Sequence, residues 1–187
     1  MALAVQRVWT VSNVISASRI VFVVPAAYCL MQNFPHHRDW SVFFILVASS
    51  TDFLDGYFAR RLHQVSDVGK IIDPLADKIG VGIIAVCLTL TGDIPIWYLA
   101  VLLARDLVIF VGGMYIKQQK RIVPQANMAG KIAVNVIALA LLLSLMRLES
   151  LEIVRVVVLW MSVLSMVVSL VLYARRLSIG KSIAFKD

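Results

Sequence analysis

Six apolar stretches, each long enough to cross a bilayer, constrain this chain more than any other feature. A membrane-spanning helix needs roughly 20 mostly apolar residues. Such stretches run at about Val11–Met31, Trp40–Arg61, Lys70–Thr91, Ile94–Ile116, Met128–Leu148 and Leu151–Tyr173. Hydrophobic residues make up 60% of the 187 positions and the mean hydropathy is +0.87, whereas soluble domains are about 45–50% apolar. A soluble globular fold is excluded. The alternating pattern of a transmembrane β-barrel is absent. Connections are short and no Gly/Ser/Pro-rich linker or repeat interrupts the chain, so residues 1–187 are expected to form one domain. The expected fold class is an all-α integral membrane bundle of six transmembrane helices. The opening MALAVQRVWTVSN is mildly amphipathic and is expected to lie along the interface. The first span is too long for a signal-peptide core, and no convincing cleavage pattern follows it.

The net charge of +7 is unevenly distributed. Arg7, Arg60, Arg61, Lys70, Lys117, Lys120, Arg121, Arg175, Arg176, Lys181 and Lys186 fall at one set of helix ends, against Arg38, Arg147 and Arg155 at the other. By the positive-inside rule both termini are expected in the cytoplasm, and an even number of spans agrees. The basic excess then reads as topology plus attraction to anionic lipid head groups. Nucleic acid is a poor partner, because no soluble basic domain exists to hold it. Cys29 and Cys87 are isolated in apolar segments and give neither metal spacing nor a disulfide framework. His36, His37 and His63 lack ligand-like neighbours and read as surface residues.

Carboxylates cost at least a few kcal/mol in a bilayer, yet Asp52, Asp55, Asp73 and Asp77 flank one short connection, LHQVSDV. Asp52 and Asp55 are three apart and Asp73 and Asp77 four apart, so each pair shares a helix face. With spans two and three antiparallel, Asp52 and Asp77 lie roughly 5 Å deeper than Asp55 and Asp73. The hairpin can therefore gather four carboxylates at one depth, on the cytoplasmic side. Four like charges need compensation to stay ionised. All-oxygen ligation suits Mg²⁺ or Mn²⁺, and two such ions are a known arrangement for displacement at phosphorus. Gly56, Ala59 and Gly69 have little bulk and permit close approach of a ligand or helix. Arg60 offers a fork suited to phosphate. The plainer reading, structural pairing with Lys70, Lys78 or Arg60, accounts less well for four acids on two facing surfaces. Pro74 is tolerable if the third helix begins near Asp73 and should kink it if the helix begins earlier.

The pattern Asp52-x2-Asp55-Gly56-x2-Ala59-Arg60-x8-Gly69-x3-Asp73-x3-Asp77 resembles the full signature of the CDP-alcohol phosphotransferase family. The resemblance implies a six-span enzyme, a phosphatidyltransferase, that moves a group from a CDP-linked lipid, here CDP-diacylglycerol, to an alcohol and releases CMP. It implies metal ligation by Asp52, Asp55 and Asp73, with Asp77 completing the site and acting as general base. Gly56, Ala59, Arg60 and Gly69 would line the cytidine and diphosphate pocket, and the protein would be a homodimer. The expected setting is a bacterial inner membrane, multi-pass, with the active site cytoplasmic.

DPLADK after Gly69 looks like the glycerophosphate and cardiolipin branches of this family. Asn13, Ser16 and Arg19 look like the opening of the branch that uses glycerol 3-phosphate. Arg105 and Lys131 stand where the family analogy puts acceptor-phosphate binding, with Arg19 a third candidate. Their plainer readings are an internal pair with Asp106 or a motif aspartate for Arg105, and snorkelling to the interface for Lys131 and Arg19. Ala104-Arg105-Asp106 looks more like the cardiolipin-forming branch, and GKIAVN lacks the Lys-Thr usual in the glycerophosphate branch. Glycerol 3-phosphate is the first expectation, with phosphatidylglycerol as acceptor the alternative. A cation transporter is a remote third reading. Transport sites usually lie near the midplane in repeated halves, whereas these acids sit at one end of one hairpin.

Overall fold

A computed structural model describes the backbone of residues 11–62, 69–120 and 128–179, and the side chains of residues 21–50, 78–113 and 128–175. Within them the chain is helical, without strands. The helices are α1 (Val11–Met31), α2 (His37–Leu62), α3 (Gly69–Leu90), α4 (Ile96–Lys120), α5 (Met128–Met146) and α6 (Glu152–Ile179), with a short 3₁₀ turn at Glu149–Leu151 before α6. Each apolar stretch of the sequence has become one helix. At 1.5 Å per residue these helices are about 28–42 Å long, against a hydrocarbon core of about 30 Å. Ile96–Gly113, Met128–Met146 and Glu149–Arg175 are long and apolar enough to cross a membrane within the described residues, while Val21–Met31 and Lys78–Leu90 are shorter apolar segments.

The helix ends have local causes. Three reversals each contain one residue in the left-handed region: His36 (φ 60°), Gly92 (φ 77°) and Arg147 (φ 45°). Gly92 donates its N–H to the Thr89 carbonyl at 3.1 Å, the usual use of glycine just past a helix end. Pro95 immediately precedes α4, and its carbonyl accepts from the Tyr98 N–H at 3.0 Å. The start of α3 at Gly69 resolves the alternative left by the sequence: Pro74 lies inside the helix, where it has no N–H for the carbonyl four residues back.

The chain divides into two compact units after Gly92. In the first, α1 packs against both α2 and α3. Its core is small-residue packing: Ala26, Ala48 and Ala85 are buried beside Val23, Leu30, Ile84 and Leu88. A Cβ built on Gly80 would stand 3.3 Å from Val23 Cγ2, so α1 and α3 approach closely there. Ser41, fully buried, donates to the Ala26 carbonyl at 2.8 Å. Cys29 and Cys87 are buried free thiols in this apolar core.

In the second unit α6 packs against α5 and α4. Ala133, Ile137, Ala140 and Ser144 recur at four- and three-residue steps on the buried side of α5, the pattern of one helix face. Between α4 and α6 three side-chain contacts share one register. Tyr98 Oη and Ser162 Oγ are 2.8 Å apart, Arg105 Nη2 lies 3.5 Å from Ser169 Oγ, and Tyr173 Oη donates to the Ile109 carbonyl at 3.2 Å, each pair 64 positions apart in sequence. A constant offset means that α4 and α6 run parallel. The opposite side of α6 leaves Val154, Val157, Met161, Leu164, Val168 and Val171 exposed, a stripe suited to acyl chains and unfavourable in water.

Candidate active site

In the first unit the family-like motif falls on two helix ends. Asp52, Asp55, Gly56, Ala59 and Arg60 belong to the last part of α2, while Gly69, Asp73 and Asp77 belong to the first part of α3. The intervening connection is residues 63–68. The helical backbone gives the spacing its meaning: Asp52 and Asp55 differ by about 4.5 Å along α2, and Asp73 and Asp77 by about 6 Å along α3. The side chains of these eight residues, and of Arg19 on α1, lie outside the described ones. Among the described residues no cluster of three His, Cys, Asp or Glu side chains could hold a metal ion.

Among the described residues the Cys and His donors are engaged in other contacts. Cys29 and Cys87 are in the core. His36 Nδ1 lies 2.9 Å from Asp39 Oδ2 on the surface, and His37 Nδ1 lies 3.2 Å from the Cys29 carbonyl. Neither imidazole belongs to a cluster that could bind an ion.

In the second unit Arg105 is 4% exposed despite its charge. Its Nη1 pairs with Asp106 Oδ1 at 2.6 Å, and its Nη2 reaches Ser169 Oγ at 3.5 Å, the long limit of a hydrogen bond. Its Nε is buried with no acceptor. The internal pair with Asp106, the plainer sequence reading, is therefore present, and it leaves part of the guanidinium unused. Ser169 also faces α5: a Cβ on Gly130 would stand 3.8 Å from its Oγ. Arg105 and the residue before Lys131 thus border the same hydroxyl. Lys131 itself is exposed and has no ion-pair partner among the described residues.

Sequence reasoning missed Ser169, which reads there as one more residue of an oily last span. The available signal was its spacing: Ser162 and Ser169 differ by seven, as do Tyr98 and Arg105.

The sequence model of the CDP-alcohol phosphatidyltransferase family matches residues 9–168, nearly the whole chain. The chain belongs to the CDP-alcohol phosphatidyltransferase family. Membership makes it a transferase of phospholipid biosynthesis by class, as the motif implied. Relatives within the family carry two kinds of name. The chain is 31% identical over 130 residues to the CMP-forming cardiolipin synthase of Streptomyces coelicolor, covering 68% of this chain and 60% of that one. It is 28% identical over 182 residues to the CDP-diacylglycerol–glycerol-3-phosphate 3-phosphatidyltransferase of Aquifex aeolicus, covering 95% and 99%. It is 38% identical over 96 residues to the protein of that same name from Bacillus subtilis, covering 51% and 49%. The match therefore spans nearly all of the Aquifex protein and about half to three-fifths of the other two.

Proposed function

We propose that this chain transfers the phosphatidyl group of CDP-diacylglycerol to glycerol 3-phosphate, releasing CMP. The observation that carries the reading is the complete motif, distributed over the end of α2 and the start of α3 on either side of one short stretch of sequence. The full-length similarity to the Aquifex enzyme favours glycerol 3-phosphate as acceptor.

The donor set fits hard divalent ions. Asp52, Asp55, Asp73 and Asp77 supply oxygen only, and the chain's thiols lie buried in the apolar core. These four residues would hold Mg²⁺ or Mn²⁺, as a pair of ions, which would offset the diphosphate charge and the charge on departing CMP. The other steps fall to protein groups. Arg60 offers its fork to the diphosphate, while Gly56, Ala59 and Gly69 leave space beside it. Asp77 takes the proton of the acceptor hydroxyl. The acceptor oxygen bonds to the β-phosphorus as the bond from that phosphorus to the CMP oxygen breaks, and CMP leaves with the bonding electrons. Direct displacement is our reading because the sequence offers no Ser, Cys or His as an obvious nucleophile. Arg105, Lys131 and Arg19 are assigned to the phosphate of the acceptor.

The protein is read as a single domain of six membrane spans and as a homodimer. Its termini and active site are read as facing the cytoplasm of a bacterial inner membrane. A second reading, with phosphatidylglycerol as acceptor and cardiolipin as product, is favoured by Asp106 beside Arg105 and by the Streptomyces relative. The two readings are separated by CMP release from purified protein in micelles given CDP-diacylglycerol, Mg²⁺ or Mn²⁺, and one acceptor at a time. Release dependent on glycerol 3-phosphate supports the first, and release dependent on phosphatidylglycerol supports the second. Chelation should abolish either and Mg²⁺ or Mn²⁺ restore it. Turnover that persists in excess chelator would remove the metal from the reading.

A further inference from the structure

Of the three contacts that register α4 against α6, two are closed. Tyr98 and Ser162 meet at 2.8 Å, and Tyr173 reaches the Ile109 carbonyl at 3.2 Å. The third, Arg105 to Ser169, is stretched to 3.5 Å. It is also the one that leaves donors unspent. The guanidinium has five N–H groups and no acceptor capacity, and its buried Nε–H faces no acceptor.

Ser169 differs from its neighbours in the same way. Ser162 and Ser165 donate to carbonyls three residues back, at Leu159 and Ser162, both at 2.7 Å, and Ser144 donates to the Ala140 carbonyl at 2.8 Å. Ser169, 4% exposed, accepts from Arg105 and gives its own proton to no described group. Two unspent donors, one of them cationic, thus lie together in the buried seam. The hydroxyl also faces Gly130, and the exposed Lys131 ammonium belongs to the next residue. Buried donors without acceptors are rare because each costs free energy. A surplus of donors around a buried guanidinium fits an oxyanion with several acceptor oxygens.

We propose that Ser169 is a substrate-binding residue: it accepts from Arg105 and donates its hydroxyl proton to a phosphate oxygen of the acceptor alcohol. The proposal rests on the assignment of Arg105 to that phosphate. A phosphomonoester (glycerol 3-phosphate) and a phosphodiester (phosphatidylglycerol) offer the same oxygens, so each is tested in a separate arm.

The experiment measures acceptor-dependent CMP release by the full-length protein in micelles. With the acceptor that supports release, Ser169→Ala should raise the acceptor KM roughly tenfold, the effect of deleting one hydrogen bond to a charged group, with kcat and the KM for CDP-diacylglycerol within about twofold. Ser169→Thr keeps the hydroxyl and should keep the acceptor KM. Ser162→Ala, which opens a closed contact of the same seam, should lower the thermal midpoint without moving the acceptor KM. If Ser169→Ala does not hold its fold, Ser169→Cys is read in its place. A raised KM for Arg105→Ala with an unchanged KM for Ser169→Ala makes Ser169 a packing residue and overturns the proposal while the Arg105 assignment survives. An unchanged KM for Arg105→Ala overturns both, as does the absence of release with either acceptor.

Discussion

Arg105 on α4 lies 3.5 Å from the hydroxyl of Ser169 on α6, seven residues along from the point where Tyr98 and Ser162 of the same two helices meet at 2.8 Å. One helix pair therefore carries a closed polar contact and an open one in a single register. The closed contact is a device of packing. The open one leaves a buried cation only partly satisfied, which matters for function and for stability in different ways.

Those two roles should separate by mutation. Removing one member of a buried ion pair strands the other and costs about 3–5 kcal/mol, and the cost falls where the stranded charge can reach solvent. Asp106→Ala leaves the buried Arg105 guanidinium without its counter-charge, so it should fall within that range. Asp106→Ala is expected to lower the thermal midpoint by several degrees. Arg105→Met strands only the Asp106 carboxylate, a quarter of which reaches solvent, so it should lower the midpoint less than Asp106→Ala does while weakening acceptor use. Unfolding curves in detergent measured beside acceptor titrations test this, and equal destabilisation by both variants would contradict it.

Asp77→Asn should insert and fold but lose turnover. The amide is close in shape but cannot take the acceptor proton, a loss of about 10²–10⁴-fold for a general base alone. CMP release from protein shown to be folded by its melting curve is the measurement. Activity within a fewfold of the parent would remove the base role from Asp77.

Gly112 has a steric reason to be glycine. A Cβ there would stand 2.9 Å from Tyr173 Cε1 and 3.1 Å from its hydroxyl, beside the hydrogen bond from that hydroxyl to the Ile109 carbonyl. Gly112→Ala should cost about 1–3 kcal/mol by overpacking. Combining it with Tyr173→Leu should give a cost well below the sum of the single effects, because both changes act on one contact. Additive costs would mean that the ring yields freely.

Topology can be tested by labelling single cysteines in a chain freed of Cys29 and Cys87. A cysteine at His36, in the exposed turn between α1 and α2, should react with a membrane-impermeant thiol reagent added outside intact cells. A cysteine at Arg121 should react only after the cells are opened. The reverse order would invert the reading of which side holds the termini.

Much of this was legible in the sequence, for definable reasons. Helix number and rough extent follow from apolar length, because a bilayer demands it. The motif aspartates were conspicuous because charge is expensive in apolar sequence, and the pairing of Arg105 with Asp106 follows from adjacency. What escaped depends on contacts between distant residues. The α4–α6 register joins positions 64 apart, and no local periodicity encodes it, so Ser169 looked like filler. Asp93 went unremarked, and Arg147 and Arg155 were read only as charges outside the cytoplasmic set. Instead Asp93 is buried, Arg147 pairs with its carboxylate at 3.5 Å, and Arg155 donates to its backbone carbonyl at 2.8 Å. The start of α3 at Gly69 was likewise open, because the tolerance of Pro74 depends on where the helix begins.

The parallel seam also has a consequence in time. Neighbouring antiparallel helices can pair as soon as the second emerges from the ribosome, but α4 must wait for α6. At about 5–20 residues per second, the 64-residue offset delays closure by roughly 3–13 seconds. For that interval Arg105 is already made and Ser169 is not. Asp106, synthesised next, gives the cation a counter-charge that travels with it. The pair that leaves the guanidinium only partly satisfied in the finished protein is thus also what makes the helix tolerable to the membrane while the rest of the chain is still being translated.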